Sequence, residues 1–368
     1  MININSYVLK FGNRTFKKFP FNDVDGLVLA EISMINFDLL IDGEEPVALK
    51  DIVLKDYKKV IYGSPDARAN GIMLKRMMKS ERYKNIKVAF IKRVFDAKTA
   101  LQFYAVTFIL PDGSFYISFK GTDITIVGWR EDFNYTVSGR MATRDQALIY
   151  CNDVISKLSG KYIIGGHSKG GYLAVYAGLN INQDYLARLL TIYSYDGPGF
   201  VEGLECYPNY ELIKDRIKKF ITHRDFIGLL YDELNDSTIV YATGMLLGGH
   251  DPYTWKVDPS TGGFVIKEKL VKKAMISSRG ANLWLNQLSN DDKELGIKAL
   301  IAIVGKAQNI YDLLKYLGPN IIRYNSVIKQ FPVDERERLR KMIVLFFDCF
   351  KLAKQSYSNK PRDVYGNL

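Results

Sequence analysis

Apolar positions recur along this chain with two different periods, and the change from one to the other marks out its elements. In "FNDVDGLVLAEISMINFDLLI" Leu27, Ala30, Ile32, Ile35 and Leu39 return at near-helical spacing, which predicts one helix with Asp23 as its cap. A second helix is predicted from about Asp66 to Lys79. Strand-like runs begin at 103. There "FYAVTFIL" and "SFYISFKG", both aromatic and β-branched, flank a Pro-Asp-Gly turn and predict a hairpin. After "GTD" comes a polar, aromatic stretch, "ITIVGWREDFNYTVSG", and then helical periodicity from Arg144 to Leu158.

From there strands and helices alternate. "KYIIGGH", "LLTIYSYD", "KKFITH" and "STIVYAT" read as strands, and "GGYLAVYAGLNI" and "NYELIKDRI" as helices. Such alternation predicts an α/β fold with a mostly parallel central sheet. After about residue 265 the strand signal stops. "IKEKLVKKAMISSRGANLWLNQL", "DDKELGIKALIAIVGKAQNIYDLLKYL" and "DERERLRKMIVLFFDCFKLAKQ" are amphipathic and form an appended helical region. The expected division is an α/β domain over 1–265, including N-terminal helices within 1–95, and a helical region over 266–368.

The composition, 47% hydrophobic and 25% charged, belongs to a globular protein with a sizeable core. No apolar run is long enough to span a bilayer, and the first residues carry no secretory h-region. Cys151, Cys206 and Cys349 are dispersed and odd in number, so neither a disulfide framework nor a zinc site is expected, and the reading is cytoplasmic. The net charge of +11 is concentrated late, where Lys and Arg outnumber Asp and Glu roughly two to one after residue 266. Peripheral contact with an anionic membrane fits that charge; nucleic acid is not expected, because no nucleic-acid motif accompanies it.

Between the strand "YII" and the following helix lies "GGHSKGG". Gly166-x-Ser168-x-Gly170, with Gly171 behind, is the pattern of a nucleophile elbow: the serine occupies a strained turn, and neighbouring side chains would clash with strand and helix. A phosphate-binding loop requires Gly-x4-Gly-Lys-Ser/Thr, which this is not. A serine nucleophile needs a base and an orienting acid. Of three histidines, His167 adjoins the serine and points away from its hydroxyl. His223 leaves little chain between serine and base, so His250 is favoured. For the acid, Asp225 after "KKFITH" is favoured over Asp196 after "LLTIYSYD", both at carboxyl ends of strands; Asp251 adjoins His250 and is badly placed. No metal and no cofactor is called for.

These residues resemble a family. "GHSKGGYLAVYA" is similar to the "GHSLGG" elbow of class 3 (fungal-type) lipases, and "FKGTD…W…D" to their "FRGT…W…D" segment. Closer is a resemblance to a bacterial domain-of-unknown-function family of lipase-like α/β hydrolases. It is carried by "FNDVDGLVLAEISMINFD", "ISFKGTD…GWREDFN", "GGHSKGGYLAVYA", "YDGPGF" and "HDPYTW", over about residues 20 to 258. The resemblance implies an α/β-hydrolase fold with Ser168 after strand 5, Asp225 after strand 7 and His250 after strand 8. It also implies an oxyanion hole from the amides of Thr122 and Lys169. The implied activity is cleavage of lipid or small carboxylic esters through an acyl-enzyme. The competing reading is a catalytically silent binding or regulatory protein on the same scaffold. Lys169 stands where the lipases have leucine, and its amine either favours an anionic acyl substrate or reaches out to water. "VGWREDFNY" reads either as a lid or rim, or as a turn packed by Trp129 and Phe133 with a surface salt bridge.

Overall fold

The computed structural model describes residues 1–96, 101–125, 139–231, 237–244, 246–304 and 328–358, together with Gly128, Arg130, Glu131, Asp132, Asn134 and Tyr135. In chain order its principal elements are helices α1 (Ile4–Phe11) and α2 (Asp23–Ile32), strand β1 (Val47–Ala48), helix α3 (Ala67–Lys79) and strands β2 (Lys87–Asp96), β3 (Leu101–Ile109) and β4 (Phe115–Phe119). Helix α4 (Arg144–Lys157), strand β5 (Tyr162–His167), helix α5 (Lys169–Asn180) and strands β6 (Leu189–Tyr195), β7 (Ile217–Thr222) and β8 (Ser237–Val240) follow. Helices α6 (Lys272–Gln287), α7 (Asn290–Val304) and α8 (Val333–Ser358) complete it.

The eight strands form one sheet in the order β1 to β8. The first four pair antiparallel and the last five parallel, with β4 common to both sets. Alternation along each strand sends residues to two cores, as a pleated strand must. Tyr104, Val106, Phe108, Tyr116 and Ile163 join the N-terminal helices on one face. Phe103, Ala105, Phe115, Ile117 and Ile164 join α4 and α5 on the other. With a mostly parallel sheet covered by helices on both faces, this is an α/β-hydrolase fold.

Helix α2 is buried almost all round, which explains its unbroken apolar character. Its cap is Asn22 rather than Asp23: the Asn22 side chain accepts from the Val24 and Asp25 amides, and Asp25 returns a bond to the Asn22 amide. Nor does the helix run on through Leu39. It stops at Ile32, where the Ser33 hydroxyl donates back to the Ala30 carbonyl and the Asn36 amide is drawn to the carbonyls of Lys59 and Tyr62. Strands also start earlier than 103, since β1 and β2 lie within the span expected to be helical.

The sheet and its N-terminal helices close on themselves. Ile2 donates to the Val257 carbonyl at 2.9 Å and accepts from the Val257 amide at 2.8 Å. Helix α6 docks against β7 and β8 through Leu270 and Met275, and Asn282 bonds both the Leu229 carbonyl and the Tyr231 amide. Helices α6, α7 and α8 share a separate small core of Leu288, Leu295, Leu339 and Met342. The part of the expected second C-terminal helix beyond 304 lies outside the described residues.

Candidate active site

Ser168 stands between β5 and α5 with φ 55° and ψ −125°, a conformation that side chains adopt only under constraint. The constraint is visible around it. Its amide donates to the Tyr195 carbonyl at 2.9 Å, and its carbonyl accepts from the Gly171 amide at 2.9 Å. A Cβ on Gly166 would lie 2.3 Å from the Gly170 carbonyl carbon, and one on Gly170 would lie 2.2 Å from the Phe119 oxygen. At Gly171 a Cβ would meet the Ser194 hydroxyl at 2.9 Å. Strand, turn and helix thus approach too closely for any side chain at the two elbow positions, and the turn has the geometry of a nucleophile elbow.

The other candidate residues leave the same edge of the sheet. Gly121 and Thr122 follow β4, Asp196 follows β6, Asp225 follows β7, and His250 lies in the segment after β8. A Cβ on Gly121 would be 3.8 Å from the Ser168 Cβ, so the Thr122 loop borders the serine. The Lys169 amide opens the first turn of α5, where an amide has no intrahelical acceptor in sequence before it and the positive end of the helix dipole lies. The Thr122 hydroxyl donates to Asp132 Oδ2 at 2.7 Å, which fixes the loop. Burial pushes the Asp132 carboxyl up to about 6, against the pull of Lys169 and Thr122.

His250 is held from two sides. The His167 Nε2 bonds the His250 carbonyl at 2.9 Å, and the two rings pack at a tilt of 39° with centroids 4.6 Å apart. Trp255, fully buried, donates from its indole to the Gly249 carbonyl at 3.1 Å. Asp251 turns away and accepts from the Tyr253 amide. The imidazole Nδ1 faces Asp196 Oδ2 at 2.9 Å and Asp225 Oδ2 at 3.1 Å, and both carboxylates are buried. The bond along the ring N–H goes to Asp196. An Nδ1–H given to a carboxylate leaves Nε2 with the lone pair that accepts a proton.

Burial by itself would pull the His250 pKa down, but the bonds to Asp196 and Asp225 outweigh it and raise it. Asp196 is raised by burial and by Asp225 beside it. Burial works to raise Asp225 too, but contact with His250 outweighs it and leaves Asp225 low. His167 is pushed well down by burial and by His250, so it is neutral. His223 belongs elsewhere: its Nδ1 accepts from the Ala242 amide at 3.3 Å, and burial with the neighbouring Arg224 lowers it to about 4. Donor atoms of Asp196, Asp225 and His250 lie within 4.8 Å of one another, the one group among the described residues with spacing that a cation could bridge.

Lys169 departs from both sequence readings of its amine. The side chain reaches neither water nor a pocket mouth. It is 2% exposed and pairs at 3.0 Å with Glu131, itself 1% exposed, while donating to the Gln102 carbonyl at 2.9 Å. Glu131 also accepts from the amide and hydroxyl of Thr143. The ion pair foreseen at the surface of "VGWREDFNY" is therefore buried beneath the elbow; Trp129 and Phe133 lie outside the described residues. A lysine in a position that must pack against a sheet was the one sequence signal that a buried carboxylate was needed. A small cleft opens beside the Gly121 loop, lined by Arg93, Phe95, Phe103, Tyr104, Lys120 and Gly121 among others.

The Mbeg1-like family profile matches residues 77–302. Among solved structures the chain is similar to the native Rhizomucor miehei lipase propeptide complex, at 12% identity over 67% of this chain and 71% of that chain with a TM-score of 0.36. It is similar also to a mutant form of MDLA from Penicillium cyclopium, at 12% identity over 67% and 86% with a TM-score of 0.37. A triacylglycerol lipase from Penicillium expansum matches at 12% identity over 50% and 82%, with a TM-score of 0.26. No curated protein matches the chain. Family membership rests on the profile, not on these distant likenesses. With an elbow, an imidazole and buried carboxylates gathered at one sheet edge, and a profile spanning more than half its length, the chain belongs to the Mbeg1-like family, a lipase-like family.

Proposed function

We propose that this chain is a serine hydrolase of carboxylic esters. Ser168 Oγ attacks the ester carbonyl carbon, and His250 Nε2 takes the hydroxyl proton. The alcohol leaves with that proton, and water then releases the acyl group from Ser168 by the same steps in reverse. The amides of Thr122 and Lys169 receive the oxyanion; one such donor typically contributes about 3 kcal/mol to the transition state. Asp196, with Asp225 beside it, keeps the Nδ1–H of His250 in place. The observation that carries this reading is the His250 imidazole, packed on the residue before the strained serine with its Nδ1 turned to buried carboxylates.

A fluorophosphonate probe tests it. Wild-type protein is expected to label at one site, and Ser168→Ala and His250→Ala to lose labelling. Folded wild-type protein that does not label would instead favour a silent binding protein on the same scaffold. Because the carboxylates raise the imidazole pKa, the rise of kcat/KM with pH is expected above the ordinary histidine value near 6.5.

For the substrate we infer a lipid or short-chain acyl ester. The cleft at Gly121 combines aromatic walls with Arg93 and Lys120. On α8, Val344, Phe347 and Leu352 are 61%, 65% and 54% exposed, with Arg340, Lys341 and Lys351 also exposed on that helix. Apolar and cationic side chains combined in this way suit an anionic lipid surface.

A further inference from the structure

A Ser–His–acid arrangement requires one carboxylate behind the imidazole, and this chain has two. Asp196 and Asp225 leave neighbouring parallel strands, and the Asp196 amide donates to the Phe220 carbonyl at 2.7 Å, which locks the strand ends together. Each carboxylate is about 1% exposed. One oxygen of each approaches the same Nδ1, at 2.9 and 3.1 Å, so the two distances differ by less than a small tilt of the ring would change them. Asp196 holds its place at φ 53°, a left-handed conformation that the fold must enforce. Neither oxygen of Asp225 has a hydrogen-bond donor in good geometry, and the groups that act on it most are the imidazole, the Asp196 carboxyl and the Phe226 amide.

Two buried carboxyls in contact cannot both keep a full charge beside one neutral imidazole, so they share one proton or the imidazole carries it. Either way, the ring N–H has an acceptor on each side. We propose that Asp196 and Asp225 are paired positioning residues for His250, each able to hold the Nδ1–H when the other cannot. This rests on the esterase reading for its kinetic consequence, but not for its structural one. In an arrangement with a single acid, replacing Asp by Asn costs about 10⁴-fold because the amide stabilises the wrong tautomer. Here the remaining carboxylate keeps the tautomer right.

The experiment compares D196N, D225N and the double variant with the wild type. Each single variant is expected to lose about 10-fold or less in kcat, with KM unchanged, and the double about 10³- to 10⁴-fold. A full loss in D225N alone, with D196N unaffected, would assign one acid and overturn the pairing; the mirror result would do the same. An activity-independent readout is the downfield Nδ1–H resonance of His250 in NMR. It should persist in each single variant and vanish in the double, even if no ester is ever found to be cleaved. Its loss in either single variant sinks the proposal. Besides Asp196 and Asp225, the titratable groups around His250 are Asp132 from the loop after β4, Asp251 beside it in the chain, Glu31 from α2 and the neutral ring of His167. Asparagine tolerates a left-handed backbone, so D196N is expected to fold. Should it unfold, Asp196→Gly, which also accepts a left-handed backbone, takes its place, since pairing requires the resonance to survive the loss of either carboxylate.

Discussion

The buried pair under the elbow makes a prediction that needs no substrate. Lys169 and Glu131 are 2% and 1% exposed, and Nζ lies 3.0 Å from Oε2. Glu131→Gln keeps an amide oxygen for the Thr143 amide and hydroxyl, so the change amounts to removing one charge. The lysine charge is then buried without its partner, which costs about 3 to 5 kcal/mol. Lys169→Met strands the glutamate in the same way and should cost a similar amount. Removing both charges in the double variant should recover most of the loss, to within about 1 kcal/mol of wild type, because desolvating the pair nearly cancels its attraction. The coupling between the sites would then be about 5 kcal/mol or more, well outside the few tenths found for independent positions. Urea unfolding followed by tryptophan fluorescence measures all four proteins at a common m-value. A Glu131→Gln loss under about 1 kcal/mol, or losses that simply add, would show that the amine is hydrated in solution and that the elbow does not rest on this pair.

Four further outcomes are expected. Gly170→Ala drives a Cβ to within 2.2 Å of the Phe119 oxygen, so soluble folded protein should be lost; a variant with wild-type unfolding midpoint would contradict the elbow packing. His223 has its folded pKa lowered to about 4 by burial and Arg224, so its share of stability is full above about 6.5 and lost as pH falls toward 4. The stability difference between wild type and His223→Gln should shrink over that window, and a constant difference would refute it. If the Nδ1–H of His250 fills the space between Asp196 and Asp225, prolonged EDTA treatment should leave probe labelling of Ser168 unchanged; loss restored by a divalent cation would make these three metal ligands instead. Sedimentation with phosphatidylglycerol vesicles should exceed that with phosphatidylcholine and fall several-fold in Phe347→Ser/Leu352→Ser, and equal binding to both vesicles would dismiss the α8 surface.

What could be read in advance depended on how local each signal was. The β3–β4 hairpin and the β5–α5 elbow are written in contiguous residues, a turn between alternating runs and glycines around one serine, and both are where the spacing put them. Strand β2 was hidden for a physical reason. Its pairing shifts register between Ala89 and Lys92, with Phe90 at φ 49°, and that bulge breaks the two-residue period while charged residues occupy its half-buried edge. The early end of α2 depends on Asn36 reaching carbonyls more than twenty residues away. The site divides in the same way. Ser168 and its glycines are legible singly, whereas the choice between Asp196 and Asp225 posed a question the fold answers differently, by bringing both to one nitrogen. Glu131 looked like a surface charge because nothing within thirty residues says that Lys169 lies above it.

The reciprocal bonds between Ile2 and Val257 give the chain a definite order of completion during synthesis. Parallel strands β4 to β8 emerge from the ribosome in the order in which they lie in the sheet, so each finds its neighbour already waiting. The segment bearing His250 is different, because the stretch just after it fastens to residues made long before it. The Ile2 backbone therefore meets its partner only once translation has passed Val257, and only then is the stretch after the imidazole's loop stapled down. Ile2→Pro, which removes the amide that bonds the Val257 carbonyl, would loosen that last fastening.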